Sequence, residues 1–322
     1  MAEHPTPFEL AGRRVWVAGH NGMVGAALMR RLAREDCTLL SVDRSALDLR
    51  DPEAVIRWMR RERPDAVFVA AARVGGILAN ARAPAGFLHD NLMIAASIMH
   101  AAVEIGVAKL LFLGSSCAYP RDAAQPIREE AILSGALEKT NEGYAIAKIA
   151  GVKLAEGYRV ERGVDFISAM PTNLYGSGDN FDLASSHVLP ALVRKALDAR
   201  AAGRSDLMIW GSGTPRREFL HVDDCADALV HLMQHYSGPL AINVGCGEDI
   251  AIADLARLVM RQVGLGGALL HDLDKPDGTP LKRLDTARLT ALGWRPSIPL
   301  EEGVRGLLDW LAAHPEAMGE QA

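Results

Sequence analysis

Tyr144 and Lys148 stand four residues apart in NEGYAIAKIAG, and GSSCAYP sets Ser115, Ser116 and Cys117 directly after the apolar run KLLFL. A spacing of four on a helix puts the phenol and the ammonium on one face. The cation then lowers the phenol's pKa toward working pH, which makes it a usable acid-base group. A serine hydroxyl at a strand end can hold the reacting oxygen of a substrate. Of the five tyrosines, only Tyr144 has a lysine four residues on. Cys117 leaves two readings open: a small buried hydrophobe, or a thiol that moves protons.

A second group of residues has the chemistry of a phosphate cradle. RVWVAG reads as a strand, AALMRRLARE as a helix, and between them Gly19, Gly22 and Gly25 give a GxxGxxG spacing that includes Asn21, Met23 and Val24. Glycines let the backbone turn tightly and approach a pyrophosphate, and the helix N-terminus offers free N–H groups. Asp43 and Arg44 end the next predicted strand, CTLLSVD, where an adenosine ribose would lie. The carboxylate favours a 2′-hydroxyl and NAD, the guanidinium a 2′-phosphate and NADP. Asp48 and Leu49 can line the adenine, while a helix cap ahead of Pro52 is an equal reading for the aspartates of this stretch. Asn91, in HDNLM, either orders the strand ends or caps a helix.

The elements that must position these groups alternate. CTLLSVD, DAVFVAAA, KLLFLGSS and DFISAMP read as strands, separated by helices in PEAVIRWMRRER, NLMIAASIMHAAVEIG and residues 143–160. Strands alternating with helices of this length predict parallel βαβ units in an α/β sheet covered on both faces. SDLMIWG and AINVGC add later strands. TNLYGSGDN, GSGTPRRE and DKPDGTP read as functional loops, and FLHVDD is expected to return the chain to the sheet. Residues 247–322 carry helices in ADLARLVMRQVG and LEEGVRGLLDWLAAH and suggest a small lid-like unit.

The totals bound the function. A chain of 322 residues can hold one large or two unequal domains. Its net charge of −5 and lack of a dense Lys/Arg run argue against a nucleic-acid partner. MAEHPTPFEL, with Glu3 and Glu9, has no signal-peptide core, and no run is long enough to span a membrane, so a cytoplasmic location is expected. The four cysteines have no CxxC spacing and read as free thiols, and the ten histidines form no metal-ligand pattern. No metal is expected.

GHNGMVG, AAARVGGILAN, KLLFLGSSCAYP, NEGYAIAKIAGVKL, MPTNLYG with DNF, HVLPALVRK, WGSGTPRREFLHVDD and DKPDGTP occur in register over nearly the whole chain. Together they resemble the GDP-L-fucose synthase family, epimerase-reductases among the extended short-chain dehydrogenases. The resemblance implies a Rossmann-type doubly wound parallel sheet with a smaller, mainly C-terminal substrate domain. The dinucleotide domain would comprise residues 1–176 and about 219–246, and the substrate domain about 177–218 and 247–322. It implies a homodimer that uses NADP(H) and acts on a GDP-sugar, inverting C3 and C5 of GDP-4-keto-6-deoxy-D-mannose before reducing C4.

By position, Ser115, Tyr144 and Lys148 match the family's reductive triad, and Cys117 and His187 its epimerisation pair. The resemblance extends the cofactor set to Ala71, Ala72, Pro171, Asn173, Leu174 and His187, and names Ser116, Asn173, Lys195, Trp210, Arg217 and Lys282 on the substrate side. Bacterial members commonly carry an arginine at the Asn21 position, so NAD(H) stays open beside NADP(H). The chemistry agrees with a double role: a C4 ketone acidifies both neighbouring carbons, and inversion needs a base on one face and an acid on the other. Cys117 as base and His187, as imidazolium, as acid is the expected division. Three rivals remain. A GDP-L-colitose synthase would use the same logic on a 3-deoxy sugar. A nucleotide-sugar 4-epimerase or 4-ketoreductase has no use for the thiol and imidazole, and a catalytically silent dinucleotide sensor needs only the glycine turn.

Overall fold

The protein is described by a computed structural model over residues 7–275 and 277–319; Glu3 and Pro276 lie outside the described residues. The chain opens with β1 (Arg14–Ala18), α1 (Met23–Leu32), β2 (Thr38–Leu40), α2 (Pro52–Glu62) and β3 (Ala66–Val69). It continues through α3 (Ile77–Arg82), α4 (Pro84–Ile105), β4 (Lys109–Leu113), α5 (Glu142–Arg162) and β5 (Asp165–Pro171). α2 starts where its chemistry says it should: the Asp51 carboxylate accepts the Ala54 N–H at 3.0 Å, with Pro52 at the first helical position.

β1 to β5 and the later β10 (Ile242–Val244) form one parallel sheet in the order β10-β5-β4-β3-β1-β2. The period of two along each strand sorts residues to opposite faces. Trp16, Val67, Leu110 and Phe112 join one core with Val55, Trp58, Ile98 and Val152 from α2, α4 and α5. Val15, Phe68, Leu111 and Ile167 join the other with Leu28 and Leu32 of α1 and Leu229 of α7 (Val222–His235). Phe68 is fully buried, so its truncation to alanine would cost about 3–5 kcal/mol. β2 lies on one side of β1 and β3 on the other, so the order reverses between β1 and β3. Ligands bind beyond the carboxyl ends of strands at such a reversal.

The remaining chain contributes β6 (Asn173–Tyr175), α6 (Val188–Ala201), β7 (Leu207–Trp210), β8 (Arg216–Arg217) and β9 (Phe219–His221) before α7. After β10 come β11 (Ile250–Ala251), α8 (Ile252–Val263), β12 (Leu269–Asp272), β13 (Leu281–Lys282), α9 (Ala287–Ala291) and α10 (Leu300–Ala313). Phe181, Leu192, Val193, Ile209, Val259 and Leu307 build a third core from these segments. Three local expectations need correction. FLHVDD does not rejoin the main sheet: β9 pairs with β6 in a separate two-stranded sheet, and α7 begins at Val222. Asn173–Tyr175, read as loop, is the strand it pairs with. Arg216–Arg217, also read as loop, is the middle strand between β11 and β13. Among the described residues, no helix is long and apolar enough to cross a membrane.

Candidate active site

The glycine turn between β1 and α1 is shaped by close backbone approach. Gly19 has φ +88°, and a Cβ there would stand 2.6 Å from Ala71 Cα, so the chain leaving β3 packs on the turn. A Cβ on Gly25 would meet Gly19 O at 2.0 Å. Gly22 caps α1 with no side-chain hydrogen bond, and no acidic residue sits in the helix's first turn. The positive end of α1 is therefore uncancelled at the mouth of the turn. Met23, Val24 and Leu174 pack partly into the core below, while Pro171 and Asn173 end and follow β5. Asn173 donates from Nδ2 to Glu218 O at 2.9 Å, and Ala72 stays half-buried beside Ala71.

At the ribose end, Asp43 Oδ1 accepts from Asn21 Nδ2 at 2.8 Å and lies 3.5 Å from His20 Nε2. Arg44 beside it is exposed. Asp48 is taken up by Arg50, which bonds it at 2.7 Å and holds its carboxyl down to about 2. Leu49 packs against the first core. Asn91 orders the loop after β3: its Oδ1 accepts the Arg73 N–H at 2.8 Å and its Nδ2 donates to Arg73 O and Phe87 O.

Beyond β4, Ser115 Oγ accepts the Cys117 N–H at 3.2 Å and caps a single 3₁₀ turn, with Ser116 buried beneath it. Tyr144 and Lys148 reach the same place from the start of α5. The expected depression of the phenol is not found. Burial pushes the Tyr144 hydroxyl above its ordinary range and a negative Cys117 adds to this, while a hydrogen bond with Ser115 opposes it. The reason lies in the orientation of Lys148. Its Nζ donates to Leu113 O at 2.6 Å and stands 5.7 Å from the centre of the Tyr144 ring, so it is spent on a carbonyl at the ring's face. Burial brings the Lys148 ammonium down to about 8, against the pull of Cys117.

Cys117 is half-buried with a free thiol, and Lys282 Nζ stands 3.8 Å from its Sγ. His187 precedes α6 and makes no side-chain cap. Burial, then the positive charge of Lys282, push its imidazole below the ordinary histidine range. The imidazolium expected as an acid is therefore disfavoured in the free chain. Contacts and fields link Ser115, Cys117, Tyr144, Lys148, His187 and Lys282 into one cluster. Beside Tyr144 a cavity of about 300 Å³ is lined by Asn80, Pro84 and Asn141 among others. The amide oxygens of Asn80 and Asn141 have no partner among the described residues.

The third group sits on the short strands. Parallel pairing sets Arg217 of β8 beside Lys282 of β13, joining this group to the cluster. Arg217 donates from Nη1 to Thr279 O and Arg216 O. Trp210 is half exposed, and Lys195 Nζ and Lys275 Nζ lie 5.3 and 5.7 Å from its ring centre. Such an indole is a platform for a planar base, edged by cations suited to phosphate. Lys275 was not expected from the sequence; its place in a Pro- and Asp-rich turn gives no helical or strand pattern to point with. Among the described residues, no group of three His, Cys, Asp or Glu side chains is arranged to hold a metal.

Residues 15–245 match the model of the NAD dependent epimerase/dehydratase family. A GDP-L-fucose synthase of Sinorhizobium fredii is 56% identical over 297 residues, covering 92% of this chain and 95% of that protein. A GDP-L-colitose synthase of Yersinia pseudotuberculosis is 36% identical, covering 90% and 95%. The crystal structure of a GDP-L-fucose synthetase from Naegleria fowleri bound to NADP superposes with a TM-score of 0.88 at 28% identity, covering 97% and 98% of the two chains. On the family match and on an identity of this size along nearly its whole length, the chain belongs to the NAD dependent epimerase/dehydratase family, among its GDP-L-fucose synthases.

Proposed function

We propose that the chain converts GDP-4-keto-6-deoxy-D-mannose to GDP-L-fucose, inverting C3 and C5 and then reducing C4 with NADPH. The observation that carries this reading is the cluster itself: a thiol with an ammonium 3.8 Å away, sharing that ammonium's field with an imidazole, next to a serine-bound phenol. A plain 4-epimerase or 4-ketoreductase would need only the serine, the phenol and Lys148.

The residues present fit a dinucleotide, because the turn leaves no room for a methyl group at Gly19 or Gly25 and presents the bare end of α1. Gly19, Asn21, Gly22, Met23, Val24 and Gly25 would hold its pyrophosphate, and Lys148 its nicotinamide ribose. When bound, the reduced nicotinamide supplies the hydride for C4.

Inversion belongs to the side chains. Lys282 donates to Cys117 Sγ at 3.8 Å, and the sulfur removes the proton from carbon next to the ketone; the electron pair moves into the enolate oxygen, which Ser115 holds. His187 returns a proton to the other face, and since its neutral form dominates in the free chain, the productive state is the minority with His187 protonated. In the later reduction Tyr144 gives its proton to the C4 oxygen. Its raised pKa keeps the phenol protonated until that moment.

Trp210, Lys195 and Arg217 are assigned to the GDP moiety, and Asn173 and Ser116 to the sugar. In this reading the two cores flanking the main sheet form the dinucleotide domain and the third core the substrate domain. Assembly as a homodimer in the cytoplasm belongs to the same proposal; exposed Ile146 and Val160 give α5 an apolar surface for a second copy.

The test is incubation with GDP-4-keto-6-deoxy-D-mannose and NADPH in deuterium oxide, followed by NMR of the product. Expected are NADPH oxidation and a GDP-L-fucose carrying deuterium at C3 and C5. A product with the D-configuration would leave a 4-ketoreductase, and dinucleotide binding without turnover a silent sensor. Turnover only of the 3-deoxy analogue would favour the colitose reading, against which stands the lower identity to the colitose relative.

A further inference from the structure

The ribose end of the dinucleotide site has a feature that neither the family match nor the proposed reaction assigns. Asp43 follows β2, where the adenosine ribose of a dinucleotide laid on the glycine turn falls. Its Oδ1 is fastened to two side chains of that turn, the Asn21 amide at 2.8 Å and the His20 imidazole at 3.5 Å. The carboxylate is thereby fixed in place, yet its side chain remains 66% exposed, which leaves it open to a ligand.

Two consequences follow from the bonding. One of the two Asn21 Nδ2 donors is committed to Asp43, which leaves a single donor for a phosphate oxygen and no cation at this position of the turn. A fixed carboxylate accepts a hydrogen bond from a ribose 2′-hydroxyl and repels a 2′-phosphate dianion. Arg44, the neighbouring cation, is exposed and its field also falls on Asp48, so it offsets that repulsion only in part.

We infer that Asp43, held by Asn21 and His20, is the group that holds back the 2′-phosphate, so that this chain binds NAD(H) and NADP(H) with similar strength. The inference rests on the dinucleotide reading of the turn and deepens it by naming the residue that sets cofactor choice.

Calorimetric titration of the purified full chain with NAD+ and with NADP+ tests it without turnover. The two dissociation constants should lie within about tenfold of each other. Asp43→Asn should tighten NADP+ and weaken NAD+, moving their ratio by about tenfold or more, the size of one hydrogen bond to a charged group. Asn21→Arg, which restores a cation to the turn, should move the ratio in the same direction and serves if the first variant folds poorly. NADP+ binding more than about a hundredfold tighter than NAD+ in the unmodified chain, or a ratio unmoved by both substitutions, would overturn the inference. Binding of neither dinucleotide would remove the functional reading and this inference together.

Discussion

Lys282 Nζ lies 3.8 Å from Cys117 Sγ, although 165 residues separate the two in the chain. The same ammonium contributes to pushing His187 down. One cation therefore faces both members of the inversion pair: it donates to the sulfur, and its field disfavours a charged imidazole. Lys282→Met removes the donor to Sγ and should slow alkylation of Cys117 by iodoacetamide at neutral pH, followed by mass spectrometry of the labelled peptide. It should also raise the pH above which deuterium exchange at C3 and C5 declines, because His187 then keeps its proton longer. Lys282→Arg should retain most of both properties. Unchanged alkylation in Lys282→Met would show that the ammonium serves only the substrate.

The phenol and the thiol should separate the two halves of the reaction. Tyr144→Phe removes the proton donor and its bond with Ser115 but keeps the ring that packs near Lys148. Loss of general acid catalysis typically costs about 10²–10⁴ in rate. Reduction of C4 should fall by that factor while deuterium still enters C3 and C5. If exchange were lost in parallel with reduction, the assignment of inversion to Cys117 and His187 would fail.

The glycine turn gives a steric prediction with an internal control. A Cβ at Gly25 would sit 2.0 Å from Gly19 O, a backbone atom that cannot swing aside, whereas a Cβ at Gly157 of α5 meets nothing within 4 Å. Gly25→Ala should cost about 1–3 kcal/mol and abolish dinucleotide binding. Gly157→Ala, on an exposed helix face, should stabilise by roughly 0.4–1 kcal/mol through a less mobile unfolded chain. Thermal melts and NADP+ titration of both variants check this; equal behaviour of the two would mean that the turn is looser than its geometry.

Local pattern carried the first half of the fold and weakened where pairing became distant. DFISAMP was readable to the residue as β5, since a seven-residue run buried along its length has little else to become. α7 carries a polar stripe at Asp223, Asp227, His231 and Gln234 between its buried positions, but the apolar FLHV run leading straight into it reads as strand and hides where the helix starts. β6 and β9 are three residues each and exist only through their pairing. The site followed the same rule. The four-residue spacing of Tyr144 and Lys148 was visible, but the Leu113 carbonyl that captures Lys148 was not, and a spacing alone could not tell a cation beside a hydroxyl from one over the ring. The contact between Lys282 and Cys117 depends on β13 pairing with β8, which no local pattern announces.

Asp179 supplies a prediction in pH. It lies in the loop between β6 and α6, and its neighbour Gly178 approaches Met23 at the start of α1. Its Oδ1 accepts the Asn180 N–H at 2.8 Å, but Oδ2 is buried with no partner among the described residues. Burial pushes its carboxyl up to about 7, against the help of that one hydrogen bond. The native state thus binds the proton more tightly than the unfolded chain, whose aspartates titrate near 3.9. The stability this gives is complete below about pH 4 and is lost as pH rises through about 7. Asp179→Asn stays neutral throughout, so its advantage over the unmodified chain should open between these limits and level off above them. On the order of 2 kcal/mol is expected, allowing for partial exposure of the residue. Denaturant unfolding at about pH 4 and pH 8 measures the gap. A gap of the same size at both would mean that Asp179 is already ionised at acid pH, paired with a group that reaches Oδ2 in solution.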